Sequence, residues 1–115
     1  MDYLKIAHAR LAGKTLALIG GDRREQQERR IQEAFGLERI IWVETRDSDP
    51  SSRRFESLLR SGRVDIIVLM LGLVRHQHAR AIRSLCKELS IPLVVCRRTP
   101  NPGPLANGVV RATAA

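Results

Sequence analysis

Four short apolar runs recur along the chain, with polar, helix-favouring segments between them. Thr15–Ile19, Arg39–Val43, Val64–Met70 and Ile91–Cys96 read as buried strands: short, bounded by turn residues, and rich in Ile, Val and Leu. The intervening segments carry apolar residues at helical spacing. After Gly20-Gly21, Asp22 suits an N-cap and Glu25 stands three residues on, as in a capping box. The helix so begun runs to Phe35 with Ile31, Ala34 and Phe35 inward, and Gly36 stops it. Asp49-Pro50 begins a second helix, with Pro at the first helical position and Phe55, Leu58 and Leu59 as its buried face. A third, His76 to Leu89, buries Ala79, Ile82, Leu85, Cys86 and Leu89. Ahead of the first strand, Leu4, Ala7 and Leu11 form a narrow apolar stripe on a helix over residues 2–11. Beyond the fourth strand, Thr99–Pro104 reads as a loop and Leu105–Arg111 as a short last helix.

Strands alternating with helices predict an α/β fold with a parallel sheet and right-handed crossovers. The expected architecture is a single three-layer Rossmann-like or flavodoxin-like domain, with strand order 2-1-3-4 and an extra N-terminal helix. Residues 1–13 are then a helical extension that packs on the sheet or on a second subunit. Residues 14–111 form the domain, and 112–115 a frayed tail.

Composition narrows this picture. With 115 residues there is room for one domain and one core. Only four residues are aromatic, so that core must be aliphatic. No apolar run approaches the roughly 20 residues of a membrane span. The first residues lack the layout of a secretory signal, so the expected setting is the cytoplasm, away from membranes. Cys86 and Cys96 belong to no CxxC pair and read as two buried free thiols.

Net charge is +8, from seventeen arginines and three lysines against twelve acidic residues. Such a surface suits nucleic acid, anionic lipid or phosphorylated small molecules. Position says more than the total. In sheets of this type ligands bind beyond the carboxyl ends of the strands, where strand order reverses. The loops there carry Gly20, Gly21, Asp22, Arg23 and Arg24; then Glu44, Thr45 and Arg46; then Gly72, Arg75, His76 and His78; then Arg97, Arg98 and Thr99. Each strand is followed closely by an arginine, and helix N-termini at the same edge add backbone donors. Gly20, Gly21, Asp22, Arg23, Arg24, Arg46, Arg75, His76, Arg97 and Arg98 are the expected anion-binding residues.

Several sharper motifs fail. Gly13-Lys14-Thr15 resembles the end of a P-loop, but His8 stands where that motif needs glycine, and the stretch precedes the strand. Gly20-Gly21 lacks the third glycine of a dinucleotide fingerprint, although Glu44 is placed to meet a ribose hydroxyl. Met70, Leu71 and Gly72 stand where a receiver domain needs its phospho-accepting Asp. His76 and His78 point in different directions on a helix, which disfavours a shared metal. His76 is the candidate acid–base group, and His78 is expected to be partly buried. Asp65 falls at the opposite edge. The sequence calls for no cofactor and no metal.

The strand ending ALIGGDRR, the run VDIIVLMLGLVRH and the segment HQHARAIRSLCKELSIPLVV together resemble the bacterial domain-of-unknown-function family numbered 2325, over Leu16 to Arg97. The resemblance implies a small Rossmann-like fold in the cytoplasm and no defined activity. His76 takes the place of the family's motif histidine, ten residues before Cys86-Lys87. Asp22 stands where many members carry His, and Arg75 where many carry Ser.

Three functions are compatible with these observations. The first is a non-enzymatic sensing or interaction domain that binds a phosphorylated molecule or nucleotide at the arginine-lined edge and works as a homo-oligomer. The second is nucleic-acid binding through that edge and Arg29, Arg30, Arg53 and Arg54, although stacking aromatics are scarce. The third is an enzyme acting on a phosphate ester, with His76 as acid–base and arginines as charge clamps.

Overall fold

The computed structural model describes residues 1–46, 51–97 and 99–114. Its elements are α1 (Tyr3–Leu11), β1 (Thr15–Ile19), α2 (Glu25–Phe35), β2 (Arg39–Val43), α3 (Arg53–Arg60), β3 (Ile66–Met70), α4 (His76–Leu89), β4 (Leu93–Cys96) and α5 (Pro102–Ala112). The four strands form one parallel sheet in the order β2-β1-β3-β4. This is the expected three-layer α/β fold.

Side-chain alternation along β1 and β3 divides the core. Leu16, Leu18, Ile66, Val68 and Met70 face α1, α2 and α5, where they meet Ala7, Leu11, Ile31, Phe35, Leu105, Ala106 and Val109. Ala17, Ile19, Ile67 and Leu69 face α3 and α4, against Phe55, Leu59, Ile82, Leu85 and Cys86. All five residues of β3 are buried, as befits a central strand with helices on both faces. Two of the three α1 stripe residues are used inside the chain: Ala7 and Leu11 are buried in the first cluster, and α1 lies beside α5 and α2, while Leu4 stays exposed. Gly36 shows how closely: a Cβ there would sit 2.7 Å from His8 Nε2.

Four local expectations are corrected. Asp22 does not cap α2; Arg24 holds the N-cap position and no side chain caps the helix. The two glycines carry the backbone through positive φ, and Glu44 Oε2 accepts the Arg23 N–H at 3.0 Å. The chain therefore needs two more residues to reach helical geometry, and Glu25 becomes the first helical residue. The last helix begins at Pro102, inside the expected loop, because Pro pre-sets φ at the first helical position. His78 is fully buried, with its ring 5.6 Å from that of Phe55. Cys96 is only half-buried, whereas Cys86 lies in the core; neither forms a disulfide.

Strands β3 and β4 are shorter than expected, because Asp65 and Pro92 lie just ahead of them. Asp65 instead bonds β1 from outside the ladder: its carboxylate accepts the Thr15 N–H at 2.9 Å. At the chain end, Arg10 donates to the Val110 carbonyl oxygen and the Thr113 hydroxyl, which lies within the stretch expected to fray. The proline start expected for α3 falls at Asp49-Pro50, outside the described residues. No helix among the described residues is long and apolar enough to cross a membrane.

Candidate functional site

At the carboxyl edge of the sheet, the loops after β1, β2 and β3 are tied together by one side chain. Thr45, buried just beyond β2, accepts the Gly21 N–H at 2.8 Å and donates to the Leu73 carbonyl oxygen. Its own N–H reaches the Gly21 carbonyl oxygen at 3.2 Å. Gly20 lies beneath this junction with φ +141°, and a Cβ there would stand 2.7 Å from Met70 Cβ. Only glycine lets β1 turn this close to the end of β3. The Gly20 N–H donates to the Val43 carbonyl oxygen, and its own carbonyl accepts the Trp42 indole N–H at 3.0 Å.

This junction leaves a cleft of about 430 Å³ between the β1–α2 turn, the end of β3 and the segment after β4. It opens where strand order reverses between β1 and β3, the expected place for a ligand in such a sheet. Trp42, Met70, Leu71, Leu73 and Pro100 supply apolar walls. Arg24, Arg97, Asp22, Gln27 and Thr99 supply polar groups at its margin. The uncapped N-terminus of α2 reaches the cleft through Arg24 and Gln27, so free backbone donors lie at the same place.

Five of the ten residues expected from sequence line this cleft: Gly20, Gly21, Asp22, Arg24 and Arg97. Arg23 does not. Its guanidinium is held by Glu28 at 2.7 Å, with Glu25 at 3.9 Å. The hydrogen bond to Glu28 and that residue's charge push the Arg23 pKa up further from its ordinary value. Arg46 and Arg75 are exposed and lie outside the described cleft lining. His76 sits in a neighbouring depression with Arg80, Arg83 and Arg97, not in the cleft itself. Arg98 is outside the described residues.

Sequence reasoning passed over Trp42 and Gln27, and placed Thr45 in an edge loop without counting it among the binding residues. For Trp42 there was a signal, since the chain's single tryptophan falls one residue from the end of a strand that leads to this edge. The role of Thr45 depends on three loops converging in space, which no local pattern encodes. Among the described residues, no group of three or more His, Cys, Asp or Glu side chains could hold a metal ion.

A family model described as "Uncharacterized protein conserved in bacteria (DUF2325)" matches residues 15–101. No curated protein matches the chain. Among solved structures, a protein of Clostridium acetobutylicum described as a "putative cystathionine beta-lyase involved in aluminum resistance" is similar, with a TM-score of 0.53 and 13% identity. The alignment covers 81% of this chain and 26% of that one, so this chain spans about a quarter of the similar protein's length. At that identity the likeness concerns the fold alone.

Proposed function

This chain belongs to the bacterial family DUF2325, and from that premise we propose that it is a non-enzymatic sensing domain whose cleft at the carboxyl edge of the sheet binds a nucleotide or similar phosphorylated molecule. The observation that carries this reading is the composition of the cleft. One opening joins an indole and apolar walls, suited to a flat organic moiety, to two arginines and an uncapped helix N-terminus, suited to a phosphate. Arg24 and Arg97 approach it from different elements, as a clamp requires.

The distribution of charge favours a small anion over a nucleic-acid strand. Arg29 and Arg30 are on α2, and Arg53 and Arg54 on α3, helices that cover opposite faces of the sheet. Arg54 lies over the Phe55 ring at 4.7 Å. These four arginines do not make one continuous track. A homo-oligomer remains part of the proposal. Ala7 and Leu11 of the α1 stripe are already covered by α5 and α2, whereas Leu4 is exposed.

The test is thermal unfolding across a panel of nucleoside phosphates. Ligand at about 100 times its Kd adds about 2.7 kcal/mol to the native state. For a domain of this size that raises Tm by roughly 10 °C. At least one nucleotide should give such a rise, and Arg24→Ala should cut it by about half or more without lowering the unliganded Tm by more than a few degrees. A Tm unchanged across the whole panel overturns the proposal.

A further inference from the structure

Beside the cleft lies a second depression, also about 430 Å³, lined by Leu71, His76, Ala79, Arg80, Arg83 and Arg97. It shares Leu71 and Arg97 with the first. Every ionisable side chain lining it is basic, and no carboxylate is among them. His76, Arg80 and Arg83 recur at helical spacing, so they project from one face of α4. Arg97 approaches the same space from the end of β4.

Two arginines elsewhere are neutralised by carboxylates. Arg23 pairs with Glu28, and Arg60 with Glu88. Among the described residues, no carboxylate pairs with Arg80, Arg83 or Arg97. The Arg80 guanidinium instead donates to His76 Nε2, 3.4 Å away. The first turn of α4 holds no acidic residue, and no side chain caps it, so the positive end of the helix adds to the same field. Converging cations without a protein counter-charge are a preorganised site for a multiply charged anion. Arginine recognises phosphate by paired N–H donors.

We propose that one ligand occupies both depressions: a nucleoside polyphosphate, with its base against the Trp42 side of the cleft and its phosphate chain passing Arg97 into the Arg80–Arg83 pocket. This rests on the reading of the cleft as a nucleotide site and deepens it. The cleft selects for a nucleotide, and the second pocket selects for phosphate number. Arg97, common to both, contacts the phosphate nearest the sugar.

The experiment is calorimetric titration of the protein with matched mono- and triphosphates of the four common ribonucleosides, and with inorganic tripolyphosphate. Wild type and Arg80→Gln/Arg83→Gln are compared at two salt concentrations. Both substituted residues are exposed, and thermal unfolding of the variant verifies its fold. The expected result is that at least one triphosphate binds wild type ten-fold or more tightly than its monophosphate. The double variant loses that gain but binds the monophosphate as wild type does, and the gain shrinks at higher salt. Equal affinity for mono- and triphosphate, or a gain retained in the double variant, overturns this inference and leaves the nucleotide reading standing. Binding of tripolyphosphate alone, with no nucleotide bound, overturns the single-ligand assignment together with the nucleotide reading.

Discussion

At the scale of single residues, two groups carry consequences well beyond their own contacts. Gly20 is required both by its backbone angle and by the 2.7 Å that would separate an added Cβ from Met70. Gly13 also has positive φ, but an added Cβ there meets nothing within 4 Å. Gly13→Ala should therefore cost only the conformational penalty, roughly 1–2 kcal/mol. Gly20→Ala should cost roughly 1–3 kcal/mol more, because Met70 must move; urea denaturation of the two variants checks this. Cys86 is the second case. Burial pushes its thiol up to about 11, while the unfolded chain releases that proton near the ordinary value of about 9. The folded state thus binds more protons between those values, so the Cys86 contribution to stability is fully present below about pH 9 and is lost as pH rises toward 11. Under reducing conditions, wild type should lose roughly 2 kcal/mol more than Cys86→Ala between pH 8 and pH 10.5. The lack of a disulfide and the burial of Cys86 were legible, and Gly20 as a turn residue. The reason Gly20 cannot be replaced was not legible, since it lies on another strand.

At the scale of elements, the apolar runs located every strand and helix because their periodicities differ so clearly: continuous runs for buried strands, 3–4 spacing for helices. Failures came where short-range chemistry was overridden by a partner from elsewhere. Asp22 has the residue type of an N-cap, yet Glu44 takes the Arg23 N–H and delays the start of α2. Pro102 sits in a segment that composition marks as loop, and there it opens α5. Arg23 looked available to an anion, but Glu28, one helical turn into α2, holds it. The carboxyl-edge loops depend most on Thr45, which bonds Gly21 and Leu73 with one hydroxyl. Thr45→Val keeps the shape and removes both bonds, leaving the half-buried Gly21 N–H and the exposed Leu73 carbonyl without that partner. The expected loss is roughly 1 kcal/mol, measured by denaturant unfolding. Because the same bonds fix the cleft wall, nucleotide affinity should fall in the folded variant as well.

At the scale of the molecule, α1, α2 and α5 cover one face of the sheet and α3 and α4 the other. Consecutive βα units depart to opposite faces at the boundary between β1 and β3, and the cleft is the space they leave. Topology places the cleft, the glycine turn allows backbone to approach it, and Arg24 and Arg97 give it charge. Half of the candidate residues were legible because strand ends can be counted in sequence. Trp42 and the Arg80–Arg83 pair needed the fold to reveal which side of a strand or helix adjoins the opening. The single tryptophan also makes the central claim directly measurable, since its indole lines the cleft and no other tryptophan contributes. Intrinsic fluorescence titrated with nucleoside phosphates should change saturably in wild type. In Arg24→Ala/Arg97→Ala the midpoint should move at least ten-fold higher. A flat titration, or one whose midpoint is unaltered in that variant, would contradict binding at this cleft.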